Sequence, residues 1–148
     1  MNGGNTLARV AAGNEQLCPI CAEDGPRDVI TELAATWVSA PPAAPLPGYA
    51  CVISRRHVVE PFELPAEEML AFFADAMTTA RVLTSVFAPA KMNYEIHGNT
   101  IPHLHMHLYP RYSGDPFEGE PINAQRCTFE RTSDDLRQLG MEIAAAAS

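Results

Sequence analysis

The chain of 148 residues has no apolar run approaching the ~20 residues that a helical membrane span needs. Its N-terminus also lacks the basic-then-apolar pattern of a secretory signal, so a cytoplasmic setting with no membrane partner is expected. Basic residues are scarce: 10 Lys and Arg stand against 18 Asp and Glu, a net charge of −8. That balance argues against a general nucleic-acid binder, which needs a basic footprint to displace counterions from phosphate. A small polyphosphate would need only local cations and N–H donors. Arg55, Arg56, Lys91 and Arg111 flank the segments singled out below, and of these Lys91 reads best as a plain surface charge. Cysteine is limited to four residues at uneven spacing, which is no disulfide framework and reads as thiols or metal ligands in a reducing compartment. No internal repeat or long low-complexity stretch is visible. An apolar fraction of 47% with 19% charged residues excludes global disorder, and the length suits one domain with its own core.

What the chain does have is a concentration of histidine. Four of its five histidines fall between His97 and Tyr112, in the run H-G-N-T-I-P-H-L-H-M-H-L-Y-P-R-Y. His103, His105 and His107 alternate with Leu104, Met106 and Leu108, the period of a half-buried strand. Same-face side chains on a strand are about 6.6 to 6.8 Å apart, so three imidazoles form an array able to follow an extended anion. The other face is apolar and belongs to a core. A single histidine in a strand is usually an ordinary residue, and an H-x-H pair is as often a metal site as anything else. Three in strict alternation ask for more.

Residues 1–16, rich in Gly, Asn and Ala, are expected to be flexible, and 17–148 to form one domain. Cys18-Pro19-Ile20-Cys21 is a C-x-x-C followed by the turn-prone Glu23-Asp24-Gly25-Pro26. A redox pair would need a helix that Gly-Pro breaks; two thiolates of a metal site fit better, with the remaining ligands supplied from elsewhere. Val29–Leu33 and Thr36–Ala40 read as short strands, and Pro41, Pro42, Pro45 and Pro47 as an extended connection. Tyr49–Ser54 is an apolar central strand running into Arg55-Arg56-His57. From Pro65 to Phe87, Met69, Phe73, Ala76, Met77, Ala80, Leu83 and Phe87 recur at helical spacing. Met92–Ile96 and Leu104–Tyr109 should pair through the Gly98-Asn99 turn. Thr132-Ser133-Asp134-Asp135 resembles a helix cap, ahead of a short final helix that Gly140 interrupts. The sum is an α+β domain: an antiparallel sheet of about five strands, one long helix and a short C-terminal helix.

The H-x-H-x-H run between Gly98-Asn99-Thr100 and Pro110-Arg111, together with V-I-S-R-R-H-V-V-E-P-F-E-L at Val52–Leu64, resembles the histidine triad (HIT) family of nucleotide hydrolases and transferases. The resemblance runs from Cys18 to about Tyr112. It implies His105 as the nucleophile toward phosphorus, with a backbone carbonyl fixing its tautomer, and His107 as a phosphate contact that could assist the leaving group. It implies phosphate donors at Gly98, Asn99 and Thr100, while Asn93 lies near a position where the family uses an amide and is equally an ordinary strand asparagine. Bacterial members with an early C-x-x-C imply a structural zinc held by Cys18, Cys21, His57 and His103, against the plain alternative of free thiols. A nucleotide substrate and a homodimer follow in the same way. One departure is visible: many members carry an acidic residue after the Trp37-type strand to hold the ribose, and here only Pro41, Pro42 and alanines follow. Two classes of function remain, a nucleotidyl-transferring or hydrolysing enzyme and a non-catalytic nucleotide- or metal-binding module.

Overall fold

A computed structural model describes residues 15–148. Most of the stretch expected to be flexible therefore lies outside the described residues; Glu15–Leu17 forms a 3-10 turn. The chain then runs through α1 (Pro19–Ala22), β1 (Val29–Glu32), β2 (Thr36–Ser39), β3 (Ala43–Ala44), β4 (Ala50–Ser54), α2 (Ala66–Phe87), β5 (Lys91–Ile96), β6 (His105–Arg111), β7 (Phe129–Glu130) and α3 (Ser133–Ala147). Five strands form one antiparallel sheet in the order β1-β2-β4-β6-β5. This is the expected α+β architecture. β3 and β7 pair separately as a two-residue ribbon that the proline-rich and aperiodic segments around them concealed.

The sheet has two differently used faces. Along β6, Met106 and Leu108 join Val38, Ala50 and Val52 beneath α2, whereas His105, His107 and Tyr109 point to the other side. Period-2 alternation thus sends the core one way and the imidazoles the other. The buried stripe of α2 is Phe72, Ala76, Thr79, Ala80 and Leu83. Phe73, expected in that stripe, is 36% exposed, and Phe72 takes the core position because it lies four residues before Ala76, on the face that Ala76, Ala80 and Leu83 share. By length and composition α2 could cross a bilayer, but its buried face is spent on the sheet. Asp75, midway along it, accepts from the Ala35 amide and the Thr36 hydroxyl, both at 3.0 Å, and so ties the helix to the β1–β2 turn.

The final helix begins as expected: Thr132 and Asp135 form a reciprocal capping box. It differs at Gly140, which does not interrupt it. The helix is continuous, and Gly140 lies so close to β1 that an added Cβ would sit 2.2 Å from the Ile30 carbonyl oxygen. Glycine is there for close approach rather than as a breaker. Leu136, Leu139 and Ile143 are buried on the same face.

Candidate functional site

His103 is not in the strand with its two neighbours. β6 starts at His105, and His103 precedes it in a stretch held by two backbone bonds, Leu104 N–H to Val58 O at 2.7 Å and Ser54 N–H to Leu104 O at 3.0 Å. The expected row of three imidazoles along one anion is therefore cut to two. His103 is 1% exposed, and both of its ring nitrogens are engaged. Nε2 donates to the Ser54 carbonyl at 2.6 Å, which forces Nδ1 to carry the lone pair. Nδ1 then faces Cys18 Sγ at 3.5 Å, Cys21 Sγ at 3.6 Å and His57 Nδ1 at 3.3 Å, and Cys21 Sγ lies 3.3 Å from His57 Nδ1.

Those separations match the edges of a tetrahedron around one ion. Zinc bonds of about 2.3 Å to sulfur and about 2.05 Å to nitrogen give edges of about 3.4 Å between two nitrogens and about 3.6 Å between nitrogen and sulfur. All four donor atoms lie within 4.8 Å of one another. Two soft thiolates and two imidazoles, one with its tautomer set by a second-shell carbonyl, are a donor set for a metal of that kind. Burial, with Cys18 alongside, pushes the Cys21 thiol up to about 12, so without an ion the sulfur stays protonated at neutral pH. Cys18, Cys21, His57 and His103 can thus bind a metal ion, joining α1, the segment after β4 and the approach to β6.

His105 and His107 each engage one nitrogen and leave the other toward a cleft. His105 Nδ1 donates to the His103 carbonyl at 2.6 Å, which leaves Nε2 unprotonated. His107 Nδ1 lies 2.8 Å from the Tyr49 hydroxyl, and its Nε2 has no hydrogen-bond partner among the described residues. The two rings stand edge to face with centroids 4.9 Å apart. Burial lowers the pKa of both below the ordinary histidine value, opposed in His105 by the His103 carbonyl; for His107, with His105 and His97 adding to it, the result is about 4. Both are neutral at pH 7.

Two recesses meet at these histidines. One, about 340 Å³, is walled by Ile20, Pro26, Tyr49, Ile53 and Ile101 and has the apolar character of a site for a flat ring. The other, about 370 Å³, is lined by Gly98, Asn99, Thr100, His97, Tyr109 and Ile122. Gly98 adopts a φ of 94°, open to glycine but strained for other residues, and turns the β5–β6 connection back over the histidines. Asn93 is not in either lining. It sits on β5 opposite Tyr109, and its Oδ1 accepts from Arg111. The four flanking cations are also engaged elsewhere: Arg55 with Glu32, Arg56 with Glu68, Arg111 with Asp115, and Lys91 with the Met92 carbonyl. None of these four lines the cleft. Arg27 does, at the edge of the apolar recess, but it is paired with Glu23, and Glu95 on the other recess is paired with His97. Around His105 and His107 an anion would therefore be met chiefly by neutral N–H and O–H donors.

Three features were not anticipated from sequence. Tyr49 touches His107 across 58 residues of chain. Asp28, with a left-handed φ of 54°, and Glu23 bring carboxylates to the apolar recess from the β1 side, opposite the place where an acid is missing. Phe117, in a segment without visible period, is 2% exposed and packs against the Cys18, Ile20 and Tyr49 group. No local pattern announces such contacts.

Comparison with known proteins accords with the geometry. Residues 25–114 match the HIT domain family, and the chain belongs to that family. It is 30% identical over 114 residues to a bis(5'-nucleosyl)-tetraphosphatase (asymmetrical) of Schizosaccharomyces pombe, a match covering 74% of this chain and 60% of that protein's length. Among solved structures, a histidine triad protein of Bradyrhizobium japonicum superposes with a TM-score of 0.69 at 20% identity, over 81% of this chain and 90% of that one. A zinc-bound histidine triad family protein of Mycobacterium smegmatis does so with a TM-score of 0.60 at 23% identity, over 90% and 95%.

Proposed function

We propose that this protein is a nucleotide hydrolase or nucleotidyl transferase acting at the α-phosphorus of a dinucleoside polyphosphate or a nucleoside phosphoramidate. The observation that carries the reading is the His105 Nδ1–H bond to the His103 carbonyl, which leaves an unprotonated Nε2 at the mouth of both recesses. A neutral imidazole held this way can attack phosphorus and later depart. In the first step His105 Nε2 forms a bond to phosphorus as the bond to the bridging oxygen or nitrogen breaks, and the leaving group departs with the electron pair, taking any proton it needs from solvent. In the second, water attacks the phosphoramidate, the P–N bond breaks, and nucleoside monophosphate is released. Asn99, Thr100 and the Gly98 backbone would donate to the non-bridging oxygens and His107 would add an N–H. The base would occupy the apolar recess, with Asp28 or Glu23 near the ribose.

The residues also fit a structural zinc, held by Cys18, Cys21, His57 and His103. The ion would supply a cross-link between segments far apart in sequence and takes no part in the reaction. A homodimer in the cytoplasm is the setting we propose for the activity. The functional test is turnover of a dinucleoside tetraphosphate and of a nucleoside phosphoramidate, with nucleoside monophosphate measured as product. Release of monophosphate by the wild-type chain and not by His105→Asn supports the reading; binding without turnover by the wild type would make the chain a nucleotide-binding module instead.

A further inference from the structure

We infer that Tyr49 is a positioning residue for this site: its hydroxyl donates to Nδ1 of His107 and holds that ring in its Nε2–H form, aimed at the phosphoryl group. The inference rests on the proposed reading for its consequence in catalysis but not for the hydrogen bond itself. The hydroxyl lies 2.8 Å from Nδ1, and the tyrosine is 9% exposed. Its ring is fixed between neighbours, stacked on Tyr109 with centroids 4.9 Å apart and roughly parallel to His107 at 6.0 Å. Its backbone carbonyl is held by the buried Arg131 guanidinium at 2.7 Å. The hydroxyl therefore has little freedom to turn away.

The direction of the bond follows from the chemistry of the two groups. A phenol oxygen shares its lone pair with the ring and accepts weakly, whereas its proton is a good donor; an unprotonated imidazole nitrogen is a strong neutral acceptor. The O–H therefore points to Nδ1, and the imidazole proton resides on Nε2. His105 has the opposite assignment, because a carbonyl can only accept from its Nδ1. Two neighbouring rings of the same residue type thus offer the cleft complementary groups, a lone pair from His105 and an N–H from His107. A second lone pair at His107 would face the phosphoryl oxygens with like charge. Since loss of a proton from neutral His107 would leave an imidazolate, its part is to polarise through a hydrogen bond rather than to act as an acid.

The test is side-chain nitrogen NMR of histidine-labelled protein at neutral pH, with His107 assigned by loss of its signals in His107→Gln. The wild type should show a protonated Nε2 and an unprotonated, hydrogen-bonded Nδ1 for this residue. Tyr49→Phe keeps the ring and removes the donor; the Nδ1 signal should move to the position of an unbonded nitrogen, with kcat lowered up to about tenfold and KM within about twofold. A proton on Nδ1 in the wild type would overturn the inference, and that spectrum decides it whether or not the variant folds. So would an unmoved His107 signal in Tyr49→Phe, or a rise in KM with kcat intact. Absence of turnover by the wild type would count against the proposed function and leave the tautomer result standing.

Discussion

His103 and His105 are two residues apart, yet the fold uses them in different ways. His103 is buried with both nitrogens committed, one to the Ser54 carbonyl and one to the Cys18–Cys21–His57 group. His105, like His107 beyond it, commits one nitrogen and turns the other to a cleft. An imidazole with two fixed partners is a strut, and one with a single fixed partner is free to be the oriented reagent we propose. The repeat of the motif conceals this, because the difference lies in what each ring meets across the sheet.

The sharpest way to break the comparison is to remove the reagent. His105→Asn should abolish turnover and any covalent adduct while nucleotide affinity by calorimetry and the melting temperature stay near wild type, since the site keeps its walls. His107→Ala should slow turnover by about 10² to 10³ and still permit some adduct, as expected for loss of one charge-stabilising donor. At the strut end the order of effects reverses. Cys18→Ser or exhaustive chelation should cost about 3 kcal/mol or more of stability by denaturant melts, with turnover per folded molecule changed far less. His103→Ala should behave in the same way. Elemental analysis showing no bound metal in chelator-free protein would remove the basis for that contrast. Far from both ends, Gly140→Ala should cost about 1–3 kcal/mol because its Cβ collides with the Ile30 carbonyl, and should leave turnover per folded molecule unchanged.

A smaller effect concerns pH. His107 faces His105, His97, Tyr49 and Tyr109, and burial holds it at about 4, below the usual 6.5. The unfolded chain takes up a proton in this window that the folded one refuses, so His107 contributes stability at neutral pH that is lost as pH falls from about 6.5 toward 4. Its neutral form also persists through that window, so its protonation should not limit turnover until pH nears 4. A pH series in the His107→Ala background should show a weaker decline of stability over the same interval.

Much of this was legible in the chain itself. The β6 alternation separates a core face from a site face, α2 begins and ends where its prolines and apolar spacing say, and the Thr132 cap stands as written. These are local patterns with a period or a fixed offset. The pairing of Cys18 and Cys21 with His57 and His103 came from the family resemblance, since no spacing rule connects residues 85 apart. The bond from Tyr49 to His107, the recruitment of Asp28 and the close approach at Gly140 were not legible. Each depends on strands and helices meeting across tens of residues, and the side chain concerned looks ordinary in its own neighbourhood. Arg111 shows the reverse error: a cation beside the histidines suggests phosphate, but its guanidinium is satisfied by Asp115, Asn93 and the Phe117 carbonyl, where it clamps the end of β6.

The division between strut and reagent is tested most directly by trapping the reaction. Labelled dinucleoside tetraphosphate mixed rapidly with the wild-type protein and quenched in alkali should leave an acid-labile nucleotidyl group, and peptide mapping should place it on His105. Label on His103 or on His107, or turnover with no adduct at any quench time, would contradict the account.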